Sequence, residues 1–257
     1  MISLVLQGAA GRMGRTVLET AAAAPGFKIK GCVDRVLPPW SQGDGRAWGT
    51  ELGRFVGRGD VVVDFSVPEA AVEAARCCAG VGAALVSGTT SLVAEQEEAM
   101  RVAGRTVAVL HSSNFSLGVA ALRGALKAVL PGIPDWDIEI VERHHRDKAD
   151  SPSGTALQLA REAAQCRGYD PGALRHGRQG RLGRRPAAEI GVHALRGGSW
   201  VGDHTVILAG PGESIELRHV AQDRTAFARG ALAAAGFVVN AAPGLYTLDH
   251  VLSAAVR

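Results

Sequence analysis

Apolar and polar positions change rhythm once along this chain, near Trp136. Before that point, short and almost wholly apolar runs alternate with longer runs of helical spacing. Ser3–Leu6, Phe27–Val33, Val61–Phe65, Ala84–Gly88 and Thr106–Leu110 read as strands, and Val61–Phe65 as one buried on both faces. Arg15–Ala24, Pro68–Ala79 and Glu95–Ala103 read as helices, the first closed by Pro25-Gly26 and the second opened by Pro68. Such alternation predicts an α/β fold: a Rossmann-like, doubly wound parallel sheet. Val36–Gly59, with Pro38, Pro39 and several glycines, reads as a loop with little order.

Leu117–Leu130 predicts a further helix, ended by Pro131-Gly132. Beyond it, Asp137–Val141, Glu189–Leu195, His204–Leu208 and Ser214–Val220 carry period-2 stretches with few helices between them. They predict a second, mixed α+β domain with a largely antiparallel sheet. Asp223 and Thr225 open a last, Ala-rich helix over Ala226–Val239, and the tail Pro243–Arg257 follows.

Two stretches carry chemistry. The first is Gly8-Ala9-Ala10-Gly11-Arg12-Met13-Gly14, placed between strand and helix as in the first half of a dinucleotide-binding unit. Gly8 permits the tight turn, Gly11 lets a pyrophosphate approach the backbone, and Gly14 lets helix pack on strand. The motif alone is weak, but the next strand ends at Asp34, near the spacing expected of a ribose-binding acid. Asp34 favours the 2′-hydroxyl of NAD, whereas Arg35 or Arg12 suits the 2′-phosphate of NADP, so both cofactors stay open. Polar strand ends at Ser66, Gly88-Thr89-Thr90 and Ser112-Ser113-Asn114-Phe115 form the expected rim of a nicotinamide pocket. Taken singly, each is equally a turn.

The second stretch runs from Glu142 to Thr155 and holds His144, His145, Lys148, Asp150, Pro152, Ser153, Gly154 and Thr155. Ser153 or Asp150 caps the helix that follows, and Pro152 suits its first turn. The N–H groups of Ser153, Gly154 and Thr155 are then expected to face outward as an anion site. Histidine is matched to proton transfer near neutral pH, and lysine pairs with carboxylates or shares in acid catalysis. Set against a merely polar loop, this grouping favours a site for an anionic, carboxylate-bearing substrate. His204 and His219, in strand-like runs, read as satisfied structural histidines.

Composition narrows the class. The chain has 257 residues, 47% hydrophobic, with a net charge of +3, enough for two modest cores and too mild to argue for nucleic acid. The basic segment Arg175–Arg185 lacks interleaved aromatics; it reads as a solvated loop or one that draws in an anionic substrate. No run approaches the roughly 18 apolar residues of a membrane span, and no signal-peptide pattern opens the sequence. Cys32, Cys77, Cys78 and Cys166 lack metal-ligand spacing and read as reduced thiols, so a cytoplasmic location is expected.

The motifs, in order, match a known family. Gly8–Gly14, Val63–Ser66, Gly88–Thr90, Asn114–Ser116, Glu142–Thr155, Glu189–Gly191, Val201–Thr205 and Gly244–Tyr246 resemble the 4-hydroxy-tetrahydrodipicolinate reductase (dihydrodipicolinate reductase) family of diaminopimelate and lysine biosynthesis. The His-His-x-x-Lys-x-Asp-x-Pro-Ser-Gly-Thr block is the specific part. The resemblance implies His144 as acid/base, Lys148 as second proton donor, and His145, Gly154 and Thr155 as substrate contacts, to which the anion-site reading adds Ser153. It also implies a cofactor site for NADH or NADPH built from Gly8, Ala9, Ala10, Gly11, Arg12, Met13, Asp34, Arg35, Gly88, Thr89, Thr90, Ser112, Ser113, Asn114 and Phe115. A dinucleotide domain of residues 1–116 with 225–257, a substrate and oligomerisation domain of 117–224, a homotetramer, a dicarboxylate substrate and no metal complete the expectation. The 34–60 connection is shorter than usual in that family, and His111-Ser112-Ser113 is more polar. Another two-domain NAD(P)-dependent dehydrogenase and a non-catalytic dinucleotide sensor are the alternative readings.

Overall fold

The computed structural model describes residues 1–255; the last two residues of the expected tail lie outside the described residues. The chain forms two compact units, one of Met1–Leu117 with the segment from Arg224 on, the other of Gly118–Asp223. In chain order the elements are β1 (Ile2–Gln7), α1 (Arg12–Ala23), β2 (Phe27–Val33), β3 (Trp48–Gly49), β4 (Val61–Asp64), α2 (Pro68–Val81), β5 (Ala84–Ser87), α3 (Ala94–Ala103), β6 (Ala108–His111), α4 (Leu117–Val129), β7 (Asp137–His144), α5 (Gly154–Arg167), β8 (Leu174–His176), β9 (Ile190–Arg196), β10 (Gly202–Gly210), β11 (Glu213–Ala221), α6 (Thr225–Val238), β12 (Gly244–Tyr246) and α7 (Leu248–Ala255).

The first unit holds a seven-stranded sheet in the order β12-β6-β5-β4-β1-β2-β3, parallel at every pairing. All four residues of β4 are buried, as its unbroken apolar run requires of a central strand. Helix α2 buries Ala71, Ala74, Ala75 and Cys78, the i, i+3, i+4, i+7 stripe that faces a sheet. Strand order reverses between β1 and β4. In open parallel sheets the crevice beyond the carboxyl ends at such a reversal is where ligands bind.

Residues 36–59 are more ordered than the sequence predicts. They form two short 3-10 turns and β3, the sheet's edge, and they send Leu52 and Val56 into the core. Gly31 and Gly49 make this possible, because a Cβ on either would collide with the Phe55 ring packed beside them.

The second unit's sheet runs β11-β10-β7-β9-β8 and is mixed rather than largely antiparallel. Strand β10 is antiparallel to β11 and β7, whereas β7, β9 and β8 run parallel. A parallel β7–β9 pair needs a long crossover, and α5 with the basic segment supplies it. Ile138 and Ile140 alternate onto a buried face packed with Leu122, Leu126, Leu159 and Ala163. On the opposite side Glu139 accepts hydrogen bonds from Arg178, Arg185 and His193. Burial alone would push its carboxyl up, but these bonds outweigh it and bring the pKa down to about 2. Arg178 and Arg185 are therefore held by carboxylates, while residues 179–184 between them form the exposed loop that the sequence predicts.

Candidate active site

In the second unit, strand β7 runs three residues further than the apolar pattern predicts. Glu142 and His144 sit two apart, on the buried face of the strand that also carries Ile138 and Ile140. Glu142 Oε2 lies 2.6 Å from His144 Nδ1. Its two oxygens also accept from Arg196 Nη1 and Nη2, each at 2.8 Å, and Oε1 takes the Ser153 N–H at 2.9 Å. Burial would raise the Glu142 carboxyl, but Arg196, His144 and Ser153 together hold it below the usual range. As an ionised acceptor it assigns the proton of the His144 ring to Nδ1, leaving Nε2 for exchange with a ligand. Burial lowers the His144 pKa; Glu142 works against that, while Lys148 and Arg196 lower it further.

Gly202 makes room for this imidazole, since a Cβ there would stand 3.2 Å from Nε2. The His204 ring meets His144 edge-on at 5.2 Å between centroids. His204 Nε2 lies 3.1 Å from Ser153 Oγ, and its Nδ1 has no partner. Burial first, then the neighbouring His144, pushes its pKa down to about 4, so this ring is neutral at physiological pH. His204 is thus the buried, neutral histidine the sequence predicts, satisfied at Nε2 but not at Nδ1, and it packs against His144.

Ser153 is the N-cap of α5, accepting the Ala156 N–H on Oγ at 3.2 Å. Its own N–H turns inward to Glu142, which corrects the expected row of three outward donors. Pro152 precedes the cap instead of entering the first turn, and the N-cap position belongs to Ser153, with Asp150 three residues before it. Gly154 and Thr155 open α5, where the positive end of the helix dipole favours a carboxylate. Lys148 Nζ stands 2.7 Å from Asp150 Oδ1. The His145 backbone N–H donates to Trp200 O at 2.8 Å, which fixes the loop after β7.

In the first unit, Gly8 takes a left-handed conformation (φ +73°), and a Cβ on it would lie 2.3 Å from Phe65 O. Gly11 precedes α1, so Arg12, Met13 and Gly14 lie in the first helical turn. A Cβ on Gly14 would strike Gly8 O at 2.1 Å, so its role is to let the turn fold onto its own helix. Asp34 Oδ2 accepts the Ala10 N–H at 2.9 Å at the end of β2. Gly8, Gly11, Asp34, Arg35, Thr50 and Leu52 line a cavity of about 250 Å³ at this point. The glycine cradle, the strand-end acid and the cavity fit a dinucleotide's ribose and phosphates. Ala9 is buried in the core, while the Arg12 and Arg35 side chains are exposed.

The polar ends of β4 and β5 are held from below by one buried carboxylate. Asp64 accepts from Ser66 Oγ, from Ser87 Oγ at 2.7 Å and from Thr89 Oγ1 at 2.8 Å. Burial pushes its pKa up, with the hydroxyls opposing. Thr89 is buried and Thr90 exposed. Ser112 Oγ bonds Asn114 O at 2.7 Å, Ser113 is exposed, and the Phe115 ring packs on Phe65 at 5.5 Å.

The descriptions "Dihydrodipicolinate reductase, N-terminus" and "Dihydrodipicolinate reductase, C-terminus" match residues 2–115 and 118–252. The 4-hydroxy-tetrahydrodipicolinate reductase of Anaeromyxobacter sp. (strain Fw109-5) is 41% identical over 98% of both chains. That of Thermomicrobium roseum is 42% identical, over 98% of this chain and 100% of its own. The chain belongs to the dihydrodipicolinate reductase family. A dipicolinate-bound member of that family from Paenisporosarcina sp. TG-14 shares the fold, with a TM-score of 0.79 at 21% identity over 96% and 97% of the two chains. Family membership makes the chain an NAD(P)H-dependent oxidoreductase.

Within this family framework, Arg196 is a residue around His144 that the sequence did not point to, and Glu142 and His204 are residues it named without placing them against His144. Glu142-x-His144 carried a signal, the period-2 spacing of one strand face. Arg196 carried none, since only the β7–β9 register places it opposite His144.

Proposed function

We propose that this chain reduces 4-hydroxy-tetrahydrodipicolinate to tetrahydrodipicolinate and water, consuming NADH or NADPH and one proton, in diaminopimelate and lysine biosynthesis. The observation that carries the reading is the double use of Glu142: one carboxylate fixes both the His144 ring and the start of α5. Reduced nicotinamide, when bound to the first unit, supplies the hydride. In the second unit, Lys148 and the helix start at Gly154 and Thr155 bind the substrate's carboxylates, with His145 beside them. His144, through Nε2, and Lys148 deliver the proton that completes the reduction. His144 is mostly neutral before substrate arrives, and a dianion placed beside it raises its pKa, so binding takes up the proton that is later transferred.

The first unit is the proposed dinucleotide-binding domain, with Asp34 on the ribose and Gly8–Met13, Gly88–Thr90 and Ser112–Phe115 about the phosphates and nicotinamide. The second is the proposed substrate and oligomerisation domain of a cytoplasmic homotetramer. The test follows the absorbance of NADH and NADPH during turnover of substrate generated in situ, with His144→Ala and Lys148→Ala alongside. Turnover that collapses in both variants while NADH binding persists is the expected result. Tight NADH binding with no wild-type turnover would leave a dinucleotide sensor as the better reading.

A further inference from the structure

The loop between β7 and α5 carries a carboxylate for which the proposed reaction has no use. Asp150 has its backbone fixed, because its carbonyl accepts from Arg196 Nη2 at 2.6 Å, and Arg196 also grips Glu142. Its side chain is held over Lys148 Nζ at 2.7 Å. The hydrogen bond from Lys148, with the Gly154 N–H also contributing, keeps the carboxyl below its ordinary range. Lys148 and the first N–H of α5 are the two groups assigned above to a substrate carboxylate. Asp150 therefore sets an internal copy of the ligand's own functional group on the ligand's subsite.

We infer that Asp150 is an intramolecular competitor for the carboxylate subsite, holding Lys148 and the start of α5 until a dicarboxylate displaces it. The inference rests on the proposed function. Displacement is easy, because the Asp150 side chain is 58% exposed and swings into water, while Lys148, at 22%, stays to meet the ligand. Solvent-facing ion pairs of this kind bias an equilibrium only about two- to fivefold. A competitor of that strength keeps Lys148 neutralised and oriented in the free protein, and it loosens product as much as substrate.

The test is calorimetric titration of the full chain with pyridine-2,6-dicarboxylate (dipicolinate), beside steady-state kinetics, for wild type, Asp150→Asn, Asp150→Ala and Asp150→Glu. The Asn and Ala variants are expected to bind dipicolinate about two- to fivefold more tightly, with KM falling in parallel. The gain should shrink as salt rises. A purely structural role predicts the opposite, since a damaged loop weakens binding. Asp150→Glu keeps the competing charge and should bind no tighter than wild type. Unchanged or weaker binding in both Asn and Ala variants overturns the inference, and so does a gain in the Glu variant equal to theirs. If wild type turns over and binds dipicolinate, such a result touches Asp150 alone. A wild type that does neither refutes the proposed function, and the inference falls with it.

Discussion

Replacing Glu142 with Gln should disable this protein although Glu142 itself is assigned no contact with substrate. The side chain is 0% exposed and receives four hydrogen bonds: two from Arg196, one from His144 Nδ1 and one from the Ser153 N–H. Glutamine offers one acceptor oxygen and turns an NH₂ towards groups that are themselves donors. Removing one partner of a buried charge pair costs about 3–5 kcal/mol. Arg196 is 19% exposed, so water relieves part of this and about 3 kcal/mol is the fitting figure. In a unit as small as Gly118–Asp223 that lowers the melting temperature by roughly 12–15 °C.

Activity separates positioning from mere stability. Glu142 is what raises the His144 pKa against burial, Lys148 and Arg196. Without it the pKa falls further, so a proton donor is depleted at lower pH. The alkaline decline of kcat/KM should begin at lower pH than in wild type, with kcat/KM near neutrality reduced about 10²–10³-fold. The assay is nicotinamide oxidation across pH at a temperature where both proteins are folded, with NADH binding as the control. A variant that melts early yet keeps the wild-type pH profile and rate would refute the positioning role.

Asp34→Ala removes a carboxylate from the ribose end of the cavity and should shift the ratio of kcat/KM towards NADPH, about tenfold or less, measured with both cofactors. Gly230→Ala puts a Cβ 1.7 Å from Phe115 O, a backbone atom that cannot rotate away; thermal melts should show a loss of about 1–3 kcal/mol. Glu139 falls from a pKa of 4.5 to about 2 on folding. Its ion pairs therefore stabilise fully above pH 4.5 and are lost as pH drops towards 2. Glu139→Gln should lower stability at neutral pH and flatten that acid limb in urea titrations; a limb as steep as wild type would contradict the assignment.

Long-range alternation made the fold class legible. Val61–Asp64 and Pro68 could be read directly, because a β-branched run and a first-turn proline carry local signals. Residues 36–59 could not, since β3 is two residues long and held by a neighbouring strand and by Phe55 packing. Strand β7 was cut short because Glu142 and His144 look like surface residues until Arg196 and Ser153, 54 and 11 positions away, are seen to satisfy them. The basic segment was half legible: residues 179–184 form the exposed loop expected, but the carboxylates that hold Arg178, Glu139 on β7 and Glu189 just before β9, are far from it in sequence. Local sequence reports what a side chain is, and only the register reports which partner neutralises it.

The first unit closes with residues made after the whole of the second. Strand β12 pairs with β6, and Gly230 of α6 lies against the Phe115 carbonyl, so this unit needs the segment from Arg224 on. All residues of the second unit, Gly118–Asp223, are synthesised before that segment exists. On the ribosome the order of completion is therefore inverted: the second unit is complete while the first still waits for the segment from Arg224 on. A frameshift or premature stop after Asp223 would release a chain whose interior unit is whole and whose opening strands lack their last edge.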